Sequence, residues 1–117
     1  MRHLKKGKKF HRLTGARRHF LRNLTNDLLR NGAIETTEAR AKAIRPIVER
    51  LVTHAKRESL AARRLILSRV NNKVVMEKIF SEIAPRYADR SGGYLRITKL
   101  GKSKKRDGSS LAKVEFV

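Results

Sequence analysis

The first carboxylate of this chain is Asp27, and nine arginines and lysines precede it. Arg2, Lys5, Lys6, Lys8, Lys9 and Arg12 crowd the start, with His3 and His11 between them; Arg17, Arg18 and Arg22 follow, with His19. Like charges at this density repel on a compact surface, so such a segment keeps a fixed place only where a polyanion neutralises it. After Met1, only Leu4 and Phe10 are large apolar groups before Leu13. Residues 1–13 therefore read as an arm without a core of its own, ordered on its partner. The excess continues more thinly: 21 Lys/Arg stand against 10 Asp/Glu from Asp27 onward, giving a formal charge of +20 over 117 residues.

Residues 14–117 carry enough patterned apolar sequence for one domain. A helix is expected over Ala16 to Asn31, capped by Thr14, with Phe20, Leu21, Leu24 and Leu28 on one face and Leu29 off it. Asn31-Gly32 is a stop signal, and Ala33 to Thr36 reads as a short strand. Thr37 caps a long second helix whose stripe is Ile44, Ile47, Val48, Leu51, Val52 and Ala55. Pro46 either kinks this helix or divides it near Ala43; the unbroken apolar register favours the kink. Ser59 opens a third helix, Leu60 to about Ser68. Asn71 or Asn72 opens a fourth, with Met76, Ile79, Phe80, Ile83 and Ala84 inward and Pro85 closing it.

After a loop ending in Gly92-Gly93 the period changes from 3.6 to 2. Leu95 and Ile97 face one side of a strand, Tyr94, Arg96 and Thr98 the other. A lysine-rich loop, Gly101 to Ser110, leads to a second strand with Ala112, Val114 and Phe116, most simply an antiparallel hairpin. The expected fold is α+β, in the order helix, strand, three helices, two strands. The helices pack on a small three-stranded mixed sheet, with an extended basic N-terminal arm.

Catalytic chemistry finds little support. The four histidines lack cysteines or paired carboxylates at metal-ligand spacing, and the chain has no cysteine at all. Gly101-Lys102-Ser103 resembles the end of a phosphate-binding loop, but Arg96 stands where its first glycine belongs and a strand follows. Gly92-Gly93 lacks the third glycine of a dinucleotide fingerprint. No catalytic residue, metal, cofactor or small-molecule substrate is expected. No apolar run is long enough to span a membrane and no secretory leader is visible, so a cytoplasmic location is expected.

Polyanion chemistry is well supported. Arginine offers a planar fork for phosphate oxygens and a face for bases, while lysine offers a mobile point charge. The arm mixes both, and its histidines and Phe10 are suited to stacking on unpaired bases. Further candidates are Arg63 and Arg64 on the third helix, Arg90, Tyr94 and Arg96 near the hairpin, and Lys102, Lys104, Lys105 and Arg106 in its loop. Arg86 is nearby. Tyr94 reads equally well as a half-buried sheet residue. Charge spread over several patches, with no single recognition helix, favours folded RNA over duplex DNA. A nucleoid-type DNA-binding protein, which would be a stable dimer, is the main rival; an obligate homo-oligomer is not expected.

Several segments carry a family resemblance: Met1-Arg2-His3, Gly7-Lys8-Lys9, Leu28-Leu29-Arg30, Ile34-Glu35-Thr36-Thr37, Ala84-Pro85-Arg86-Tyr87, Gly92-Gly93-Tyr94 and Ala112-Lys113-Val114-Glu115-Phe116-Val117. Together they resemble the bacterial large-subunit ribosomal protein L-seventeen family, in order and over nearly the whole chain. The resemblance implies a non-catalytic constituent of the large ribosomal subunit. Such a protein would bind and bridge large-subunit rRNA, touch neighbouring ribosomal proteins and lie near the mouth of the nascent-chain exit tunnel.

Overall fold

A glycine and three polar side chains divide the helical part of the chain. The computed structural model describes Phe10 and residues 12–117. Helix α1, Thr14–Asn31, ends where Gly32 adopts a left-handed φ of 79° and donates its N–H to the Leu28 carbonyl at 2.8 Å. That conformation costs glycine little. Strand β1, Ala33–Thr37, follows at once. The Thr37 hydroxyl accepts from the Arg40 N–H and opens α2, Glu38–Ala55. Ser59 does the same for α3, Leu60–Val70, through the Ala62 N–H. Of the two asparagines that follow, Asn71 ends α3 in the left-handed region, and the Asn72 side chain accepts from Val75 to open α4, Lys73–Lys78.

Several expectations are corrected at the helix ends. Thr14 lies inside α1; the cap position is Leu13, which has no side-chain oxygen to offer. Pro46 does not divide α2, as the unbroken apolar register leads us to expect; the helix runs through it with the ring exposed and Ile44, Val48, Leu51 and Val52 buried. Nor does Pro85 end the fourth helix. From α4 the chain enters a π-turn, Ile79–Ile83, then a last short helix α5, Ala84–Arg86, that contains Pro85. Within the wide turn the Ala84 N–H reaches back to the Ile79 carbonyl. This five-residue step eases the crowding that a proline ring imposes on the carbonyl four residues earlier.

Strands β2, Leu95–Ser103, and β3, Ser110–Phe116, form the expected hairpin. β2 runs further than expected, so the loop proper is shorter, and its register breaks between Lys99 and Ser103 around the left-handed Gly101. The sheet order is β1-β3-β2, and both pairings are antiparallel, so the sheet is not mixed. β3 lies in the centre, pairing Val114 with Ile34 on one side and Ile97 on the other.

Helix α2 is the hub, packing on α1, α3, the π-turn, α5 and all three strands. The core beneath it holds Leu28, Ile44, Val48, Val52, Ile79 and Val114, all fully buried. Leu29 is also fully buried, although it lies off the main apolar face of α1, because α1 meets β1 and α4 as well as α2 and α3.

Candidate nucleic-acid interface

The exposed cations are built onto this frame at four places. The first is the start of α1. Phe20, expected in the core, is instead the centre of a surface cluster: the Phe10 ring meets it edge-on at 5.4 Å. The Arg12 guanidinium lies 4.0 Å from its centroid and that of Arg40 lies 5.0 Å away. Phe10 thus packs edge-on against Phe20 and stays half-buried. Further along α1, Arg18 and His19 are exposed and Arg17 is half-buried. Arg22 is partly used within the protein, donating from Nε to the Arg69 carbonyl at 3.2 Å.

The hairpin loop is the second place. Gly108, with φ of 69°, donates its N–H to the Lys104 carbonyl at 3.0 Å, and the Asp107 carboxylate accepts from the Ser109 N–H at 3.0 Å. That bond holds the Asp107 carboxyl below its usual range. Asp107 thus folds the loop, while Lys102, Lys104, Lys105 and Arg106 all remain exposed. This tight turn presents four cations and a single, internally used acid.

These two places meet. Phe10, Arg40 and Lys42 line one recess with Lys104, Asp107 and Ser109. The root of the basic arm and the base of the cationic loop therefore stand on either side of the α2 N-terminus. Glu38 in the same wall pairs with Lys42 at 2.8 Å and Lys99 at 3.7 Å. The hydrogen bond from Lys42, and then the charges of both lysines, keep its carboxyl below the usual range.

The remaining candidates are dispersed. Arg63 lies over the Phe80 ring at 4.5 Å, and Arg64 is exposed beside it on α3. Arg90 and Arg96 are exposed at the start of the hairpin, with Arg90 Nε bonded to the Gly92 carbonyl. Tyr94 is the clearest correction: it is 0% exposed and belongs to the core. Its N–H donates to Glu49 at 3.0 Å, and its hydroxyl accepts from Lys56 Nζ at 3.1 Å and lies 3.4 Å from the Thr53 hydroxyl. A side chain so enclosed cannot meet RNA. Arg2, His3, Lys5, Lys6, Lys8, Lys9 and His11 lie outside the described residues.

Sequence reasoning passed over Arg40, Lys42, Arg50, His54 and Arg69, which line surface recesses. Each is a single basic residue in a mixed helix, and only folding shows which of them share a cleft. Among the described residues no group of three or more His, Cys, Asp or Glu side chains is placed to hold a metal ion. No helix among them is long and apolar enough to cross a membrane.

Residues 20–117 match the model of a family described as Ribosomal protein L17. The chain is 49% identical, over 118 residues, to the large ribosomal subunit protein bL17 of Persephonella marina, covering 100% of this chain and 95% of that one. To the protein of the same description from Thermus thermophilus it is 46% identical, covering 100% of this chain and 99% of the other. The corresponding protein of Clostridium botulinum is 47% identical over 94% of this chain and 96% of its own.

Proposed function

Because the chain belongs to the ribosomal protein L17 family, we propose that it binds and bridges rRNA of the large ribosomal subunit through its basic arm and hairpin loop. Family membership makes it a structural component of the bacterial large subunit, a cytoplasmic particle, and not an enzyme. The finer reading is supported above all by one observation: the arm root at Phe10 and Arg12 and the loop at Lys104 flank the same recess. Two dense cationic features so placed can neutralise phosphates of two RNA segments that otherwise repel. Residues 1–13 serve as the RNA-ordered arm and 14–117 as the domain that aims it. Arg17, Arg18, His19, Arg63, Arg64, Arg90 and Arg96 add contacts around it. Neighbouring ribosomal proteins complete the surroundings, near the mouth of the nascent-chain exit tunnel.

The test is the affinity of the full chain for large-subunit rRNA against that of the chain lacking residues 1–13. If about six phosphates are neutralised, log affinity falls with log salt at a slope near −4 to −5 in the full chain. Deletion is expected to weaken binding and flatten that slope. An unchanged affinity and slope overturn the role of the arm, and preference for duplex DNA in a competition gel shift overturns the choice of RNA.

A further inference from the structure

On each of α1, α2 and α3 an aliphatic side chain and a nearby arginine face one shared groove: Leu21 with Arg22, Leu51 with Arg50, and Leu65 with Arg69. Ile47, Leu51 and Arg69 line two recesses in common, one reaching Arg22 and the other Arg50, so the two adjoin across the three helices. Its floor is narrow, because Leu51 is buried and Leu21, Ile47 and Leu65 are half-buried. Its rim is cationic. Arg50 and Arg69 are exposed, Arg22 is tethered across the groove to the Arg69 carbonyl, and among the described residues no carboxylate lines it. Thr25 also lines the groove, but its hydroxyl is buried and offers the groove no polar contact.

We propose that this groove takes one unpaired nucleotide of RNA, with its base on the aliphatic floor and its flanking phosphates on Arg22, Arg50 and Arg69. The inference rests on the RNA-binding reading above and adds a site that the arm and hairpin do not supply. A one-signed rim selects a polyanion. The apolar strip is too narrow for a protein helix, since a stable protein interface buries roughly 800 Å² on each side. A duplex would reach the arginines but leave the floor empty, because its bases stay stacked inside. An unpaired nucleotide is splayed out, and arginine planes stack on its base as well as binding its phosphate.

The experiment binds the full chain to large-subunit rRNA, irradiates the complex with ultraviolet light and maps nucleotide-bearing peptides by mass spectrometry. Crosslinks are expected on the peptides carrying Arg50 with His54 and Leu65 with Arg69. The double variant Arg50→Gln/Arg69→Gln, both positions exposed, is expected to lose those crosslinks and about tenfold in affinity while keeping crosslinks in the arm and hairpin. Arg50→Lys/Arg69→Lys is expected to restore the salt slope but only part of the affinity. Crosslinks confined to the arm and hairpin, with the Gln variant binding as tightly as the parent, overturn the groove and leave the RNA-binding reading standing. If the full chain does not bind rRNA at all, both fall.

Discussion

Tyr94 shows how one side chain can be misread from its neighbours in the chain. It stands between Gly93 and a strand, among arginines, as an RNA-stacking tyrosine would. The fold instead turns it inward, where its ring meets Tyr87 at 5.2 Å and its hydroxyl joins Thr53 of α2 and Lys56 just beyond its end. Little that is local announces this, because the side chains that bond it, Glu49, Thr53 and Lys56, lie about 40 positions away and become neighbours only when β2 docks on α2. The Thr53 bond, and then the bond and charge of Lys56, hold the phenol below its ordinary value. A depressed pKa adds stability only above the unfolded value of about 10 and loses it as pH falls through the folded one. Replacing the tyrosine by phenylalanine removes the hydroxyl and the hydrogen bonds it makes. Tyr94→Phe is therefore expected to destabilise the protein by about 1 kcal/mol at pH 7, read from the midpoint of urea unfolding. Because Tyr94 is buried, rRNA affinity at a fixed temperature below the transition is expected to stay the same.

At the scale of whole elements, the helices were legible wherever local chemistry decides. Thr37 and Ser59 cap as read, Gly32 stops α1 as read, and the 3.6-residue stripe of α2 is buried except at Ile47, which is half-buried. What local chemistry leaves open went astray. β1 lies beside β3 and not at a parallel edge, a direction set by the helices and the β2 strand that separate the two in the chain, and no residue of Ala33–Thr37 encodes that. The π-turn before Pro85 is equally silent, since a widened turn needs one displaced hydrogen bond and no particular residue. Pro46 is different: its cost is readable, and so is its consequence. It removes the hydrogen bond to the Lys42 carbonyl without ending α2, and its exposed ring contributes nothing to the core. Pro46→Ala restores the bond and relieves the ring, against a loss of roughly 0.4–1 kcal/mol from the freer unfolded chain. The net expectation is a gain of about 1–2 kcal/mol, measured by urea or thermal unfolding. No gain would mean that the entropy cost in the unfolded chain outweighs the restored bond.

For the molecule as a whole, the charge distribution was the most legible property and its geometry the least. The sequence shows dense positive charge in the arm and in the β2–β3 hairpin, but not that the two share a recess at the start of α2. If they act as one surface, the loop must carry a definite share of the salt dependence. Lys102, Lys104, Lys105 and Arg106 are all exposed, and none makes an ion pair among the described residues. Replacing all four by glutamine should leave the fold intact, because the turn is held by Asp107, Ser109 and the backbone of Lys104 and Gly108. Each phosphate that is no longer neutralised removes about 0.7–0.9 from the slope of log affinity against log salt. Four engaged cations would thus flatten it by about 3 units, and the weakening should grow as salt is lowered. The same substitutions made in a chain lacking residues 1–13 discriminate further. If arm and loop hold separate RNA segments, their effects add; if they grip one segment across the recess, removing the arm leaves the loop with less to lose. A slope unaltered by the four substitutions in either background would remove the loop from the interface and leave the recess without a role in bridging.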